Sequence, residues 1–342
     1  MSIPAKFRTF WSLVFLAFLC SQALAQNHPS LQISLDTQGD PQLRYSVPEG
    51  TSGLKLLRSA CDLAFYQDAV RYPIATFGLS PEEALYSDSR SPQGVELFYQ
   101  LEATLEDGRV MRSRVQSAYI PEPKVPTMSR PHIMVDKLAY TMLLMDGDRV
   151  ARRLPVALGQ NPTNRKLHFD RASTPEGLYK ITNLQPVATY HRAYDINYPN
   201  SVDKARYNMA ERLGLMPRSR PHIGGEIQIH GGGIDENWTW GCIALRDFDM
   251  DWLFTRPELK RGVQIAIAGS ELRFDDLRAI ASTTAQEKRR YLSTLRELGL
   301  VDSASFPVAV ARFQYQSRLP VTTQLDLRTR ELLERYLKVG VR

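Results

Sequence analysis

Between residues 30 and 120 apolar and polar side chains alternate along the chain. The runs "LQISLD", "QLRYSV", "GLKLLRS" and "VELFYQLEATLEDGRVMRSRVQSAYIP" repeat with period two, which places one face of each strand in a core. Asp107-Gly108 and the cluster from Arg90 to Gly94 supply turns between them. Residues 26–120 are therefore expected to form a small β-sandwich. Residues 121–131, "PEPKVPTMSRP", carry four prolines and read as an extended linker. Strand patterns resume over residues 132–270, in "HIMVDKLAYTMLLMDGDRVARRLPVALG", "TPEGLYKI", "GGEIQIHGGG" and "GVQIAIAG". Asp146-Gly147 marks a hairpin, and "ALRDFDMDWLFTRPEL" a short helix. The polar, tyrosine-rich stretch from about Tyr190 to Pro221 reads as an insert, so little helix is expected in this region. Beyond residue 284 the period changes to that of a helix, with Tyr291, Leu292, Leu295, Leu298 and Leu300 on one apolar face and Gly299 placed as a C-cap. Two further short helices complete a three-helix unit over residues 284–338. The predicted class is mainly β with a helical C-terminal module.

Length and composition add limits. A chain of 342 residues, 43% hydrophobic and 23% charged, has room for two or three domains. A net charge of +6, with no dense basic stripe, suits an anionic polymer or membrane surface and excludes a nucleic-acid binder. Lys6 and Arg8 precede an apolar run from Phe10 to Leu19 and an Ala23-Leu24-Ala25 cleavage pattern, which predicts a secretory signal over residues 1–25. Leu19 is too bulky to make Cys20 a lipidation site. The run is too short to span a bilayer, and no later segment reads as transmembrane. The expected location is the periplasm. Cys61 and Cys242 survive such cleavage, and an oxidising compartment would let them pair.

Cys242 lies in "NWTWGCIAL". It reads either as half of that disulfide or as a nucleophile, which needs a base and oxyanion donors within reach. "IQIHGGG" offers the base: His230 leaves the strand on its polar face, twelve residues before the cysteine. Gly241 permits a tight turn that exposes the thiol, and Thr239 adds a hydroxyl. A strand-end histidine bonded only to backbone is the bland alternative. His222, His230 and Cys242 could also hold zinc, although no close ligand pair supports it. Trp238 and Trp240 either wall the cleft or pack beneath the loop.

The pair "IHGGG" and "TWGCIAL" resembles the catalytic motif of the L,D-transpeptidase (YkuD-type) family: His-Gly at a strand end, then Ser/Thr-x-Gly-Cys and an apolar tail. "LPVALGQNPTNRKLHFDRASTPEGLYKI" and "INYPNSVDKAR" resemble further family stretches, so the resemblance covers roughly residues 131–269. It implies Cys242 as acyl-forming nucleophile, His230 as general base, the Gly231 carbonyl as orienter of the imidazole, and Thr239 as a nearby hydroxyl. The Gly241 and Cys242 N–H groups are the implied oxyanion donors. Tyr198, Arg206, His222, Trp238, Trp240 and Arg246 are candidate substrate contacts, and Arg165 and Lys166 are further cations near the motif. No metal or cofactor is implied. The substrate class is peptidoglycan stem peptides, with an amine acceptor that includes an outer-membrane lipoprotein among the candidates. Trp240 stands where many relatives have histidine, and Ala244 where many have arginine. Hydrolysis of stem peptides or of the lipoprotein–peptidoglycan bond is a live alternative, as is a non-catalytic wall-binding protein. The C-terminal unit resembles the small helical peptidoglycan-binding domain in "LRELGL", Phe313-Gln314, Leu319-Pro320 and Leu325-Asp326 with Thr329. Residues 26–120 loosely resemble fibronectin type III or immunoglobulin-like domains.

Overall fold

A computed structural model describes residues 28–219, 221–300 and 306–339. The signal reading over residues 1–25 lies outside them. The chain divides into two compact units, one through Ala69 plus Ile74–Glu122, the other Val70–Pro73 plus Pro123 onward.

In the first unit, β1 (Ser30–Leu35), β2 (Pro41–Ser46) and β5 (Leu85–Ser87) form one sheet. A second contains β3 (Thr51–Ser59), β4 (Ile74–Leu79), β6 (Val95–Leu105), β7 (Val110–Arg112) and β8 (Gln116–Ile120). Alternation along the strands puts Leu31, Leu43, Leu54, Leu56, Leu97, Tyr99 and Leu101 into one shared core. Within it Arg58 pairs with Asp88 at 2.7 Å, and the Tyr99 hydroxyl donates to the same carboxylate.

The second unit is built on an eight-stranded sheet of order β11-β10-β9-β16-β12-β13-β14-β15. Its strands are β9 (Pro131–Asp136), β10 (Thr141–Asp146), β11 (Arg149–Pro155), β12 (Gly177–Ala188), β13 (His191–Ile196), β14 (Gln228–His230), β15 (Ile243–Ala244) and β16 (Gln264–Ala268). Most neighbours are antiparallel; β9–β16 and β14–β15 are parallel. β10 is buried on both faces, so its sequence "TMLLMD" loses the alternation seen in the first unit.

The tyrosine-rich insert is not without structure. It contains β13 and α1 (Ser201–Arg212). Asn200 starts that helix: its side chain accepts from the Val202 and Asp203 N–H groups, and Asp203 returns the bond. The helix carries five charged residues and little amphipathic contrast, which hid it from an apolar-period reading. α2 (Asp247–Phe254) follows the cysteine strand, and α3 (Phe274–Ala281) follows β16.

α4 (Ala285–Glu297), α5 (Phe306–Gln316) and α6 (Leu327–Val339) share a core of Tyr291, Leu295, Leu300, Val310, Phe313, Leu325 and Leu333. The Gln314 amide nitrogen holds the turn between α5 and α6, lying within hydrogen-bond distance of the Thr322 and Thr329 hydroxyls, the Gln324 carbonyl and Asp326. This module belongs to the same compact unit as the eight-stranded sheet. The Thr323 hydroxyl donates to the Val202 carbonyl, and the Leu327 N–H to Asp276.

Candidate active site

β14 brings His230 to the edge of the sheet. It pairs antiparallel with β13, matching His230 to Ala193, and parallel with β15, matching His230 to Ala244. Cys242 stands two residues before Ala244, so the same register that fixes His230 also fixes the thiol's place beside β14. The Gln228 N–H lies 3.4 Å from Sγ, and Sγ lies 3.5 Å from the Glu226 carbonyl. Glu226 itself has φ 56, a conformation that costs of order 1–3 kcal/mol in a non-glycine residue and clusters at functional sites.

The imidazole is 2% exposed. Its Nδ1 lies 2.6 Å from the Gly231 carbonyl. A carbonyl oxygen only accepts, so Nδ1 carries the proton and Nε2 keeps its lone pair. The Tyr190 ring stacks on the imidazole at 5.0 Å, and Trp238 meets it edge-on at 5.4 Å. Trp238 is itself fixed by its indole N–H donating to the Gly233 carbonyl. Burial lowers the His230 pKa, against a smaller raising effect of the Gly231 bond. Gly231 has no room for a side chain: a Cβ there would stand 2.5 Å from the Asp247 carboxylate, which accepts from the Gly232 N–H.

The turn from Thr239 to Cys242 is closed from within. The Gly241 N–H donates to the Thr239 hydroxyl at 3.1 Å, and that hydroxyl donates to the Cys242 carbonyl at 2.8 Å. Gly241, expected to donate to an oxyanion, thus has its N–H already engaged. Its φ of 127° explains why glycine stands there. Two bridges from the chain leaving β11 clamp the turn from outside: Ala157 with Ala244 and Gly159 with Thr239. Ala244 is fully buried, so the position that resembles the family's arginine offers no polar group. The thiol pKa is raised, first by burial; the Gln228 N–H and Lys166 lower it, and Glu226 and Asp195 raise it. Thiol and imidazole are therefore both neutral near pH 7. Cys242 and Cys61 are both free thiols.

Several expected substrate contacts are committed elsewhere. The Arg206 guanidinium pairs with Glu271 at 3.0 Å and donates to the Lys166 carbonyl at 2.9 Å. Arg165 is 1% exposed, 3.7 Å from the same Glu271 carboxylate, and donates to the Thr322 carbonyl. Arg246 pairs with the fully buried Asp249, which also holds Arg152. Tyr198 is buried, its hydroxyl donating to the Ile223 carbonyl beneath the loop that leads to Glu226. These four act as internal supports. Glu271, the partner of Arg206 and Arg165, lies far away in sequence, whereas Asp249 is only three residues from Arg246 but is drawn inward together with the distant Arg152. His222 and Trp240 do reach the surface: Trp240 is 55% exposed and stacks on Phe169 at 5.2 Å, which stacks on His222 at 4.8 Å. Tyr190 and Phe169 were missed as site residues; aromatic composition was their single sequence signal. Among the described residues no group of three or more His, Cys, Asp or Glu side chains is arranged to hold a metal ion, and no helix is long and apolar enough to cross a membrane.

Residues 130–265 match the YkuD family model, the L,D-transpeptidase catalytic domain. No curated protein matches the chain. Among solved structures, an L,D-transpeptidase from Xylanimonas cellulosilytica is 17% identical over 44% of this chain and 65% of its own, with a TM-score of 0.29. L,D-transpeptidase 1 of Mycobacterium tuberculosis is 13% identical over 54% of this chain and 76% of its own, with a TM-score of 0.26. An L,D-transpeptidase from Mycobacterium smegmatis is 12% identical over 71% and 95%, with a TM-score of 0.27. The matched segment runs from β9 into β16 and contains His230, Thr239, Gly241 and Cys242. The β-rich domain around this thiol is thus similar, as a matched family, to the YkuD L,D-transpeptidases.

Proposed function

We propose that the protein is an exported cysteine L,D-transpeptidase of the cell wall, acting on peptidoglycan stem peptides in the periplasm. One observation carries the reading: His230 presents an unprotonated Nε2 at the end of β14, whose parallel neighbour β15 begins directly after Cys242. Both groups are neutral at rest, so attack begins with a proton transfer. His230 Nε2 takes the thiol proton, and Sγ adds to the carbonyl carbon of the third stem residue. The oxyanion is received by the Cys242 N–H. The imidazolium gives its proton to the departing amine of the terminal D-residue, leaving a thioester on Cys242. The acceptor amine then loses a proton to His230, attacks the thioester, and releases the thiol with a new amide bond. Tyr190 and Trp238 shield the imidazole, keeping the proton on this path. The C-terminal helices act as a wall-binding module that raises the local concentration of stems, and the N-terminal sandwich acts as a spacer. No cofactor enters any step.

Incubation with tetrapeptide-stem muropeptides tests this by mass. The expected result is a thioester adduct on Cys242 and cross-linked dimer, both lost in Cys242→Ala. Tripeptide as sole product replaces transfer by hydrolysis. Wall binding with no adduct and no turnover defeats the enzymatic reading altogether.

A further inference from the structure

Lys166 sits in the connection between β11 and β12 and is 4% exposed. Three bonds hold it. Its N–H donates to the Thr174 carbonyl, its carbonyl accepts from Arg206, and its Nζ donates to the Trp240 carbonyl at 2.9 Å. Nζ also stands 3.2 Å from where a Cβ on Gly241 would be. The ammonium therefore presses on the two residues that lead into Cys242. Among the described residues it makes no other side-chain hydrogen bond and pairs with no carboxylate, so two of its three N–H donors are unspent. A buried ammonium without a counter-charge is rare, because losing its hydration must be offset by an anion.

The charge it acts on is the cysteine sulfur, two residues past the carbonyl that Nζ holds. Lys166 and Cys242 act on each other's charge, and burial opposes both: the lysine is drawn down to about 8 and the thiol is pushed up. The other charges acting on Sγ are Glu226 and Asp195, both negative; His230 is buried and neutral. When Sγ loses its proton to His230 the imidazolium is one positive neighbour of the thiolate, and Lys166, held on the Trp240 carbonyl two residues before the cysteine, is a second one whose charge does not depend on that proton transfer.

We propose that Lys166 is a positioning residue for the nucleophile, fixing the Trp240–Gly241 peptide and serving as counter-charge to the Cys242 thiolate. The thiol proton still goes to His230; Lys166 transfers none. The inference rests on the nucleophile assigned above.

The test is the pH profile of iodoacetamide alkylation, read on the Cys242 peptide by mass. Lys166→Met is expected to move the profile up by about one to two pH units. At pH 7 its rate should be at least about tenfold below wild type, converging at high pH. Lys166→Arg should restore the wild-type profile below pH 8. A Lys166→Met profile that superposes on wild type, or an arginine variant shifted as far as the methionine one, overturns the proposal. Circular dichroism checks folding, and Lys166→Gln is the second neutral variant. Should neither neutral variant fold, Lys166→Arg decides alone: arginine stays charged where lysine titrates near pH 8, so its alkylation above that pH must exceed wild type, and equality overturns the idea. Alkylation needs no substrate. A Lys166-dependent profile with no acyl-enzyme from tetrapeptide stems would defeat the proposed function and leave this inference standing.

Discussion

Replacing Gly241 by alanine places a methyl group 2.5 Å from the Ser173 carbonyl oxygen and 3.1 Å from Ile227. The first obstacle is backbone and cannot swing aside. A φ of 127° adds strain of order 1–3 kcal/mol for a residue with a Cβ. Relieving the clash moves the turn by roughly 1 Å and breaks the Gly241–Thr239 hydrogen bond, worth about 1 kcal/mol or more when its donor is left buried. The expected total is on the order of 3–5 kcal/mol. For a unit of this size that corresponds to a fall of about 10 °C in the calorimetric midpoint. A 1 Å misplacement of the thiol should also cost about 10²-fold in acylation. Gly262→Ala is the control, because Gly262 has φ 97 but open space around it; only strain applies, about 1–3 kcal/mol. A Gly241→Ala midpoint and alkylation rate no lower than those of Gly262→Ala would refute the steric argument.

Asp249 is fully buried between Arg152 and Arg246. Asp249→Ala removes the carboxylate that two guanidinium groups share and should destabilise by roughly 3–5 kcal/mol, measured as a drop in denaturant midpoint. A loss under about 1 kcal/mol would show that the pair contributes little. His230 supplies a pH prediction. Burial holds its folded pKa below the unfolded value near 6.5, so the unfolded chain binds more protons as pH falls. Stability should be intact above about pH 6.5 and decline below it. Denaturant midpoints at pH 5 and 7.5 should therefore converge partly in His230→Gln, and an unchanged pH dependence in that variant would count against a buried neutral imidazole.

That His230 and Cys242 adjoin was legible because their placement is written into short local patterns: a strand with one polar face ending in glycines, and a glycine before a thiol. β-Strands of both units followed from alternation for the same reason. What escaped the sequence depends on pairing that tertiary packing sets, whether the acid is distant, as Glu271 is, or only three residues on, as Asp249 is. Arg206, Arg165 and Arg246 look alike as letters near a motif, yet Glu271 and Asp249 draw all three inward. Lys166 differs from them only in lacking such an acid, a distinction that tertiary packing alone creates. α1 was missed because its capping box, not an apolar stripe, defines it.

The two bridges that clamp the cysteine turn, Ala157 with Ala244 and Gly159 with Thr239, join segments widely separated along the chain. Contacts of this kind close late, after the costly ordering of the loops between them. Until they close, Cys242 is an ordinary accessible thiol, as open as any other to an external oxidant of the compartment and to the disulfide with Cys61 that such an oxidant would drive. Once closed, burial holds it protonated and slow to oxidise. In an oxidising compartment the hazardous interval for this thiol is thus its own maturation, and the speed of folding becomes a protective property of the chain.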